Sequence, residues 1–508
     1  MTRSVANTYW NINLFSSPQA ANQSYILDPW GELVTAMSFA LDDAWNRIVY
    51  FESLDDWIRE YGSWGIQNCQ FWWPKSIAAL APFDDSTYSW YYYVYVADTQ
   101  NDRILRLRFD WRSWNQFWLC DSPISGGGLD RPVDLDLNDG FTFYPETDDY
   151  LWVLNGSGQI KRFTPDGILR STTGTQGCDG LIGQFCSPTA VVSGRGPFIV
   201  PPSHRYANTD HLYVADAGNR RIVWLIKLHG GEDMYWWGSI GSTSSIVDLE
   251  VDAWGQLWAV DEDNGRIIKY TSDLFPLCTY GSSGVGERQF LKPISISSYV
   301  GYYGVGDMYV VEAWTDSSGG QYFGIGTDVL GFTASSSQSE RWNYFTYTLV
   351  DPSFVTLKIY NTAGQLVKTL YQDAQLSGPC SFVWDGSNNS GARMGTANYR
   401  VKLVDTSTYV SMETGAPVNV VTKEAWFHHV YNPGYDYIPG DVNDDGTVNI
   451  EDMTYLIAFL FSGGPAPVPH MCVADIDASG GVNVSDLTWL VAFLFTQGAA
   501  PLDGCQLI

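Results

Sequence analysis

The chain has 508 residues, 45% of them hydrophobic, with 56 acidic residues against 28 basic ones and a formal net charge of −28. At about 150 residues per domain, that length accommodates roughly three domains, and the apolar content is that of a globular protein, not a disordered one. The negative field excludes nucleic acid and anionic membranes as partners and suits a cation ligand or a secreted life in salt.

The first residues, "MTRSVANTYWNINLF", carry an Arg but no continuous apolar core, so they do not read as a signal peptide. No apolar run approaches the ~20 residues that span a bilayer. Because later segments argue for export, an export signal is expected to be missing from this chain. "TYWNINLF" (8–15) is expected as a strand that completes the last repeat described next.

A repeat fills the first two thirds. "YVADTQNDRILRLRF" (95–109) recurs as "YVADAGNRRIVWLI" (213–226) and "WAVDEDNGRIIKY" (258–270), with weaker copies at 39–51, 152–163 and 309–323. Each is an alternating strand, a polar turn and a second strand. The marker isoleucines Ile48, Ile104, Ile160, Ile222 and Ile267 are 56, 56, 62 and 45 residues apart, room for four strands per unit. Pro74, Pro132, Pro188 and Pro293 lead a further strand upstream of most copies, and "DPWGEL" (28–33) matches "DAWGQL" (252–257). Six such units predict a six-bladed β-propeller. The blade pattern over about residues 24 to 330 resembles the NHL repeat family, whose propellers are mostly recognition platforms and in a few cases lyases or hydrolases with metal-bound histidines. Here His204, His211 and His229 crowd one blade region and do not ring an axis. Asp134 and Asp136, the candidate carboxylate pair, read as strand-end turn residues.

Eighteen of 22 tryptophans precede position 333. "WRSWNQFWLC" (111–120) and "MYWWG" (234–238) read first as packing between blades, with glycan contact as the alternative. Cys178 and Cys186 bracket "CDGLIGQFC", and Cys472 and Cys505 bracket a second acidic motif further on. They are buried thiols or two local disulfides, the latter if the protein is exported.

From about Phe332 short strands follow at intervals of eight to twelve residues, the pattern of a β-sandwich. "VTLKIYNTAGQLV" and "VWDGSNNSG…YRVKL" resemble the immunoglobulin-like domain of flagellar hook-capping proteins, which implies a spacer without catalytic residues.

The last segment carries the metal signal. "GDVNDDGTVNIEDM" (440–453) and "ADIDASGGVNVSDL" (474–487) each fit a twelve-residue calcium loop, with no Lys or Arg from Gly440 to Ile508. In the first, the ligands are Asp441, Asn443, Asp445, the Thr447 carbonyl, Asn449 through water, and Asp452. In the second they are Asp475, Asp477, Ser479, the Gly481 carbonyl, Asn483 and Asp486. The loops lie 34 residues apart, and each runs into a helix, "DMTYLIAFLF" or "DLTWLVAFLF". Loop-then-helix, doubled, resembles the type I dockerin, which implies two calcium ions and docking onto a cohesin module. Ile450-Glu451 and Val484-Ser485 replace the Ser-Thr pair frequent in cellulosomal dockerins. Leu456, Phe459 and Leu460 share a helical face, as do Leu490, Phe493 and Leu494. Tyr455 and Trp489 point elsewhere and are expected to contact a protein partner.

The expectation is a mainly β protein: a six-bladed propeller (1–333), an immunoglobulin-like sandwich (334–427), a linker (428–439) and a small α-helical calcium-binding dockerin (440–508). It reads as an extracellular or cell-surface binding protein whose dockerin takes a cohesin-like module or another copy of itself, with a glycan possible on the propeller. The alternatives are a fibre subunit joined head to tail through dockerin and propeller, and a dockerin-borne enzyme acting on polysaccharide or another extracellular substrate.

Overall fold

A computed structural model describes residues 9–10, 18–27, 33–51, 59–80, 83–84, 89–110, 118–138, 150–194, 211–227, 234–241, 244–252, 254–286, 288–300, 306–313, 318–324, 326–336, 342–408, 417, 419–430, 438–468, 471–496 and 498–502. The chain is mainly β and divides into two compact units, 1–326 with 408–418, and 327–407 with 419–508.

In the first unit the described residues form six antiparallel sheets, five of them meanders of four strands in chain order and the sixth a meander of three, besides a short parallel pair, Thr175–Gln176 with Gln184–Phe185. The alternation of the repeat makes them: Val94, Val96, Leu105 and Leu107 point to one buried cluster, while Tyr95, Ala97 and Ile104 point to the next. Each sheet is therefore apolar on both faces, sandwiched between its neighbours. The first strands of the sheets, Pro18–Leu27, Pro74–Leu80, Pro132–Asn138, Ala190–Gly194, Ile246–Val251 and Pro293–Val300, pack each against the next, and the last returns to the first. The sixth sheet takes its outermost strand from Tyr9–Trp10, which pairs with Gln321 and Gly320.

The polar turn of the repeat is a clamp. Asp98 accepts hydrogen bonds from the Trp72 N–H (2.6 Å), Asn101 Nδ2 (2.7 Å) and Arg103 Nε (2.7 Å). The other guanidinium donors of Arg103 reach the carbonyls of Ile66, Gln67 and Gln70. Asp216, Asn219 and Arg221 repeat the arrangement onto the Cys186 N–H and the carbonyls of Gly180, Leu181 and Gln184. Asp261, Asn264 and Arg266 form the same triad. The carbonyls and N–H groups so held belong to the loops that lead from one sheet into the next, so the planar fork of Arg fixes loops whose own ladders are only one or two residue pairs long. Fully buried Phe71, Phe185 and Phe290 anchor these loops. At Gly174 (φ +87) a Cβ would lie 2.5 Å from the Phe185 ring, which explains that glycine.

Asp134 and Asp136 are not turn residues, as expected above; they lie inside the strand Pro132–Asn138, opposite Leu154 and Trp152. Between Val133, Leu135 and Leu137 they occupy the polar phase of a two-residue period. Their carboxylates accept from the backbone N–H groups of Val191 and Ser193 on the next first strand (2.6 and 2.7 Å). Asp248 likewise accepts from the Ile296 N–H (2.9 Å), and Glu250 from the Ser298 hydroxyl. Adjacent first strands share no backbone ladder, and these side chains take its place. Burial, with repulsion from the carboxylates of the facing sheets, pushes Asp134 and Glu250 well above the usual range and Asp248 up to about 6.

Trp118 packs on Tyr61, Tyr50 and Phe109 with ring centroids 4.9–5.3 Å apart. Trp236 lies against Phe185 and the Arg221 guanidinium, and Trp237 is exposed. Trp111 and Trp114 lie outside the described residues. His211 opens a strand and packs against Trp224 at 5.2 Å; His204 and His229 lie outside the described residues. Cys178 is bonded to Cys186, and Cys69, which was not singled out from the sequence, is bonded to Cys120.

The second unit opens with a sandwich. A three-stranded sheet (Val329–Ser336, Asn343–Leu349, Gly378–Trp384) faces a four-stranded one (Leu366–Gln375, Ser353–Asn361, Ala397–Ser407, Val420–His429). Strand residues on both sides of position 334 therefore belong to it. Trp384, Phe345, Leu357, Val401 and Phe427 fill the space between the sheets. Trp384 Nε1 donates to the Ser387 carbonyl at 2.7 Å, within a turn held by Asp385 and Asn388. The unit's two α-helices, α1 (Ile450–Ser462) and α2 (Val484–Thr496), form the C-terminal module. Among the described residues no helix is long and apolar enough to cross a membrane.

Candidate metal centre and docking helices

Each acidic loop folds its leading carboxylate back onto its own backbone. Asp441 accepts from the N–H groups of Asp445 (3.1 Å) and Gly446 (2.8 Å), and Asp475 from those of Ser479 and Gly480 (both 2.9 Å). The chain turns at Asp444 (φ 61) and Gly446 (φ 91), and again at Ala478 (φ 53) and Gly480 (φ 93), so the two loops share a backbone path. The Asp445 carboxylate accepts from the Thr447 N–H and hydroxyl, which hold it below its usual range. Asp477 is lowered in the same sense by the Ser485 hydroxyl.

Asp452 and Asp486 end the loops and start the helices. Asp452 sits at the third position of α1, where it receives the Asn449 N–H (2.8 Å), while Asn449 Oδ1 receives the Glu451 N–H: a reciprocal cap. Both aspartates are fully buried. Burial pushes Asp452 up to about 6 and raises Asp486 as well, a cost that a divalent cation would offset.

In the second loop, oxygens of Asp475, Asp477 and Asp486 all lie within 4.8 Å of one another. Hard carboxylate and amide oxygens on a tight turn, with no basic residue near, fit calcium. Asn443, Thr447, Asn449, Ser479, Gly481 and Asn483 occupy the intervening positions on the same turns. Asn443 Nδ2 bonds Asp445, Asn449 Nδ2 the Thr447 hydroxyl, and Asn483 Nδ2 the Gly481 carbonyl.

The helices meet over a small core of Val442, Leu456, Ala474, Ile476 and Leu490, against which Phe459, Leu460, Phe493 and Leu494 pack. The repeat extends to the strapping around it. The Val468 N–H donates to the Val442 carbonyl, and the Leu502 N–H to the Ile476 carbonyl; Gly464 and Gly498 donate to Ala458 and Ala492. Tyr455 and Trp489 are half-buried and belong to this strapping: the Tyr455 hydroxyl donates to the Ala466 carbonyl (3.1 Å), and Trp489 Nε1 to that of Ala499 (3.0 Å). The apolar groups that remain exposed are Ile450, Ile457 and Phe461 on α1, matched by Val484, Val491 and Phe495 on α2. Their spacing of seven and four residues makes one stripe per helix. Sequence reasoning missed these stripes because the helices are apolar almost all round, so periodicity alone does not separate core from surface. Cys472 is disulfide-bonded; Cys505 lies outside the described residues.

A doubled acidic loop-and-helix module that follows a β-sandwich in the chain is thus what the geometry defines. Residues 439–495 match the family model of the type I dockerin domain, and residues 337–408 that of the FlgD Ig-like domain. The chain carries both; type I dockerin domains bind calcium and dock onto cohesin modules, and occur in secreted, cellulosome-type proteins. Comparison with curated proteins returns no match. Solved structures similar to the chain include a catalytically inactive virginiamycin B lyase from Staphylococcus aureus with quinupristin (12% identity, 63% of this chain, 99% of that one, TM-score 0.37). Another is the calcium-binding protein regucalcin from Agrobacterium tumefaciens (11%, 61% and 90%, TM-score 0.36). These scores carry no argument about this chain.

Proposed function

We propose that the protein is an extracellular or cell-surface binding protein built from a recognition unit, a spacer and an attachment module. The first unit is an NHL-type six-bladed propeller that acts as the recognition platform, a reading supported by six meandering sheets whose first strands close a ring. The sandwich separates it from the C-terminal dockerin; its last strand runs to His429, so the linker expected at 428–439 begins only after that residue. The dockerin takes two calcium ions, one through Asp441, Asn443, Asp445, Thr447, Asn449 and Asp452, the other through Asp475, Asp477, Ser479, Gly481, Asn483 and Asp486. Its partner is a cohesin module.

The observation that carries the reading is the duplication itself: two loops with one hydrogen-bond scheme, each feeding a helix with the same exposed apolar stripe. Such a surface is self-similar under a half turn, so a partner can seat on either stripe. The test is titration of the full chain with a cohesin module, with and without calcium. Calcium-dependent binding supports attachment; absence of binding together with concentration-dependent self-association would point to copies of the chain joining one another.

A further inference from the structure

Tryptophan stands exposed at one corner of the first unit. Trp45 (62% exposed) lies in the turn between the first sheet's strands Leu33–Asp42 and Arg47–Phe51. Trp64, Trp72 and Trp73 (65, 39 and 55% exposed) lie in the connection from that sheet to the strand Pro74–Leu80. The two segments touch, the Trp73 N–H donating to Asn46 Oδ1 at 2.9 Å, and Trp64 is bridged to Phe71 by backbone hydrogen bonds.

Two of these residues break the rule of the repeat. Trp45 occupies the position where the other clamps place Asn101, Asn219 and Asn264, each bonded to its clamp aspartate. Trp73 has φ 53 just before Pro74, where the corresponding residues are Arg131 and Ser187. Arg131 and Ser187 share this left-handed backbone (φ 43 each), so the departure at Trp73 is the bulk of its side chain, and residues that break a local pattern gather at binding sites. The Arg47 guanidinium lies over the Trp45 ring at 5.8 Å, but both indoles remain more than half exposed, so burial in the core does not account for them.

The chemistry of the patch selects the ligand. Its exposed apolar surface is flat indole, with Ile66 and the exposed Gln67 beside it and Asn68, whose Nδ2 donates to the Asp121 carbonyl, next to them. Its charges are already matched: Arg47 pairs with Asp42 and Glu60, Lys75 with Asp43, and Arg103 with Asp98. Flat rings with N–H edges and amides, and paired charges among the described residues, suit the apolar faces and hydroxyls of neutral sugars. The Cys69–Cys120 bond ties the loop to the second sheet's strand Trp118–Cys120, so the rings are held in place before binding.

We propose that Trp45, Trp64, Trp72 and Trp73 form a platform for a neutral polysaccharide, whose pyranose rings stack on the indoles. This rests on the recognition reading of the first unit. The test titrates cellohexaose, xylohexaose and mannohexaose into the calcium-loaded full chain, following heat and tryptophan fluorescence, with cohesin titration in parallel. Saturable binding of at least one sugar is expected, weakened about tenfold or more by Trp64→Ala with Trp73→Asn. Asn accepts the left-handed backbone, so Trp73→Asn alone keeps the fold and still weakens binding. Trp237→Ala, on another sheet, leaves it unchanged. The proposal is overturned if none of the three sugars binds at about 1 mM, if binding survives the double substitution, or if the patch captures a protein while refusing all three. Cohesin binding that persists in those cases leaves the attachment reading standing.

Discussion

Asp452 and Asp486 accept the same three backbone hydrogen bonds. Asp452 takes the N–H groups of Val442, Asn443 and Asn449, and Asp486 those of Ile476, Asp477 and Asn483. One carboxylate thus ties the start of a loop, its end and the first turn of a helix, so loop and helix order together.

Calcium is therefore expected to set the stability of the helices. Carboxylates gathered this closely repel one another without a cation, and folding and binding become one event. EDTA should lower the helical circular-dichroism signal and the melting midpoint of the C-terminal module, and Asp441→Ala with Asp475→Ala should reproduce the loss. An unchanged midpoint in EDTA would refute the metal assignment.

The exposed stripes are expected to carry docking. Phe461→Ala or Phe495→Ala alone should weaken cohesin binding only modestly, since the other stripe remains. The double substitution should remove it with melting unchanged. Tyr455→Ala with Trp489→Ala removes the hydrogen bonds to Ala466 and Ala499, and should lower the midpoint as well as binding. Calorimetry with parallel melting curves separates the two outcomes.

The first unit should gain stability on mild acidification. Asp134, Asp248 and Glu250 bind protons more tightly folded than unfolded, so their contribution is fully present below the unfolded carboxylate range and is lost as pH rises through about 6, the value for Asp248. Asp248→Asn keeps the acceptor for the Ile296 N–H and removes the charge. It should raise the tryptophan-monitored midpoint at pH 8 and flatten its dependence between pH 5 and 8. A midpoint lower at pH 8 than in the parent chain would contradict this.

Opening the Cys69–Cys120 bond should cost more than opening Cys178–Cys186. The former spans 51 residues and the latter 8. In the loop-entropy model these closures contribute about 4 and about 2.5 kcal/mol. Paired Cys→Ser substitutions, compared by denaturant midpoint, check the order.

Much of this architecture was legible because it repeats. The "D-x-x-N-x-R" turn recurs in three sheets of the first unit, and the twelve-residue spacing set out both acidic loops. What a repeat unit does for its neighbours was less legible. Asp134 and Asp136 looked like turn residues because a carboxylate in a buried strand is costly, and only the Val191 and Ser193 N–H groups on the adjacent strand explain them. Arg103 shows the same limit: in the sequence it is one residue of a local polar turn, but three of its hydrogen bonds go to a loop more than thirty residues earlier. Cys69 and Cys120 sit in different segments with no shared motif, so their pairing follows from the fold alone. Trp45 and Trp73 were hidden for the opposite reason, in a chain so rich in tryptophan that two misplaced ones did not stand out.

Tyr9–Trp10 lies beside Gly320–Gln321, so one sheet is assembled from segments more than three hundred residues apart. A chain made from its N-terminus can complete the intervening sheets as they emerge. That last pairing must wait, and with it the contact that gives the first sheet its second neighbour. The ring then behaves as a latch: its slowest step is the return of the early segment across a long loop, an entropic search that later residues cannot shorten. Until it closes, the bare edge left by Ser318–Gly324 is open to strands of other chains.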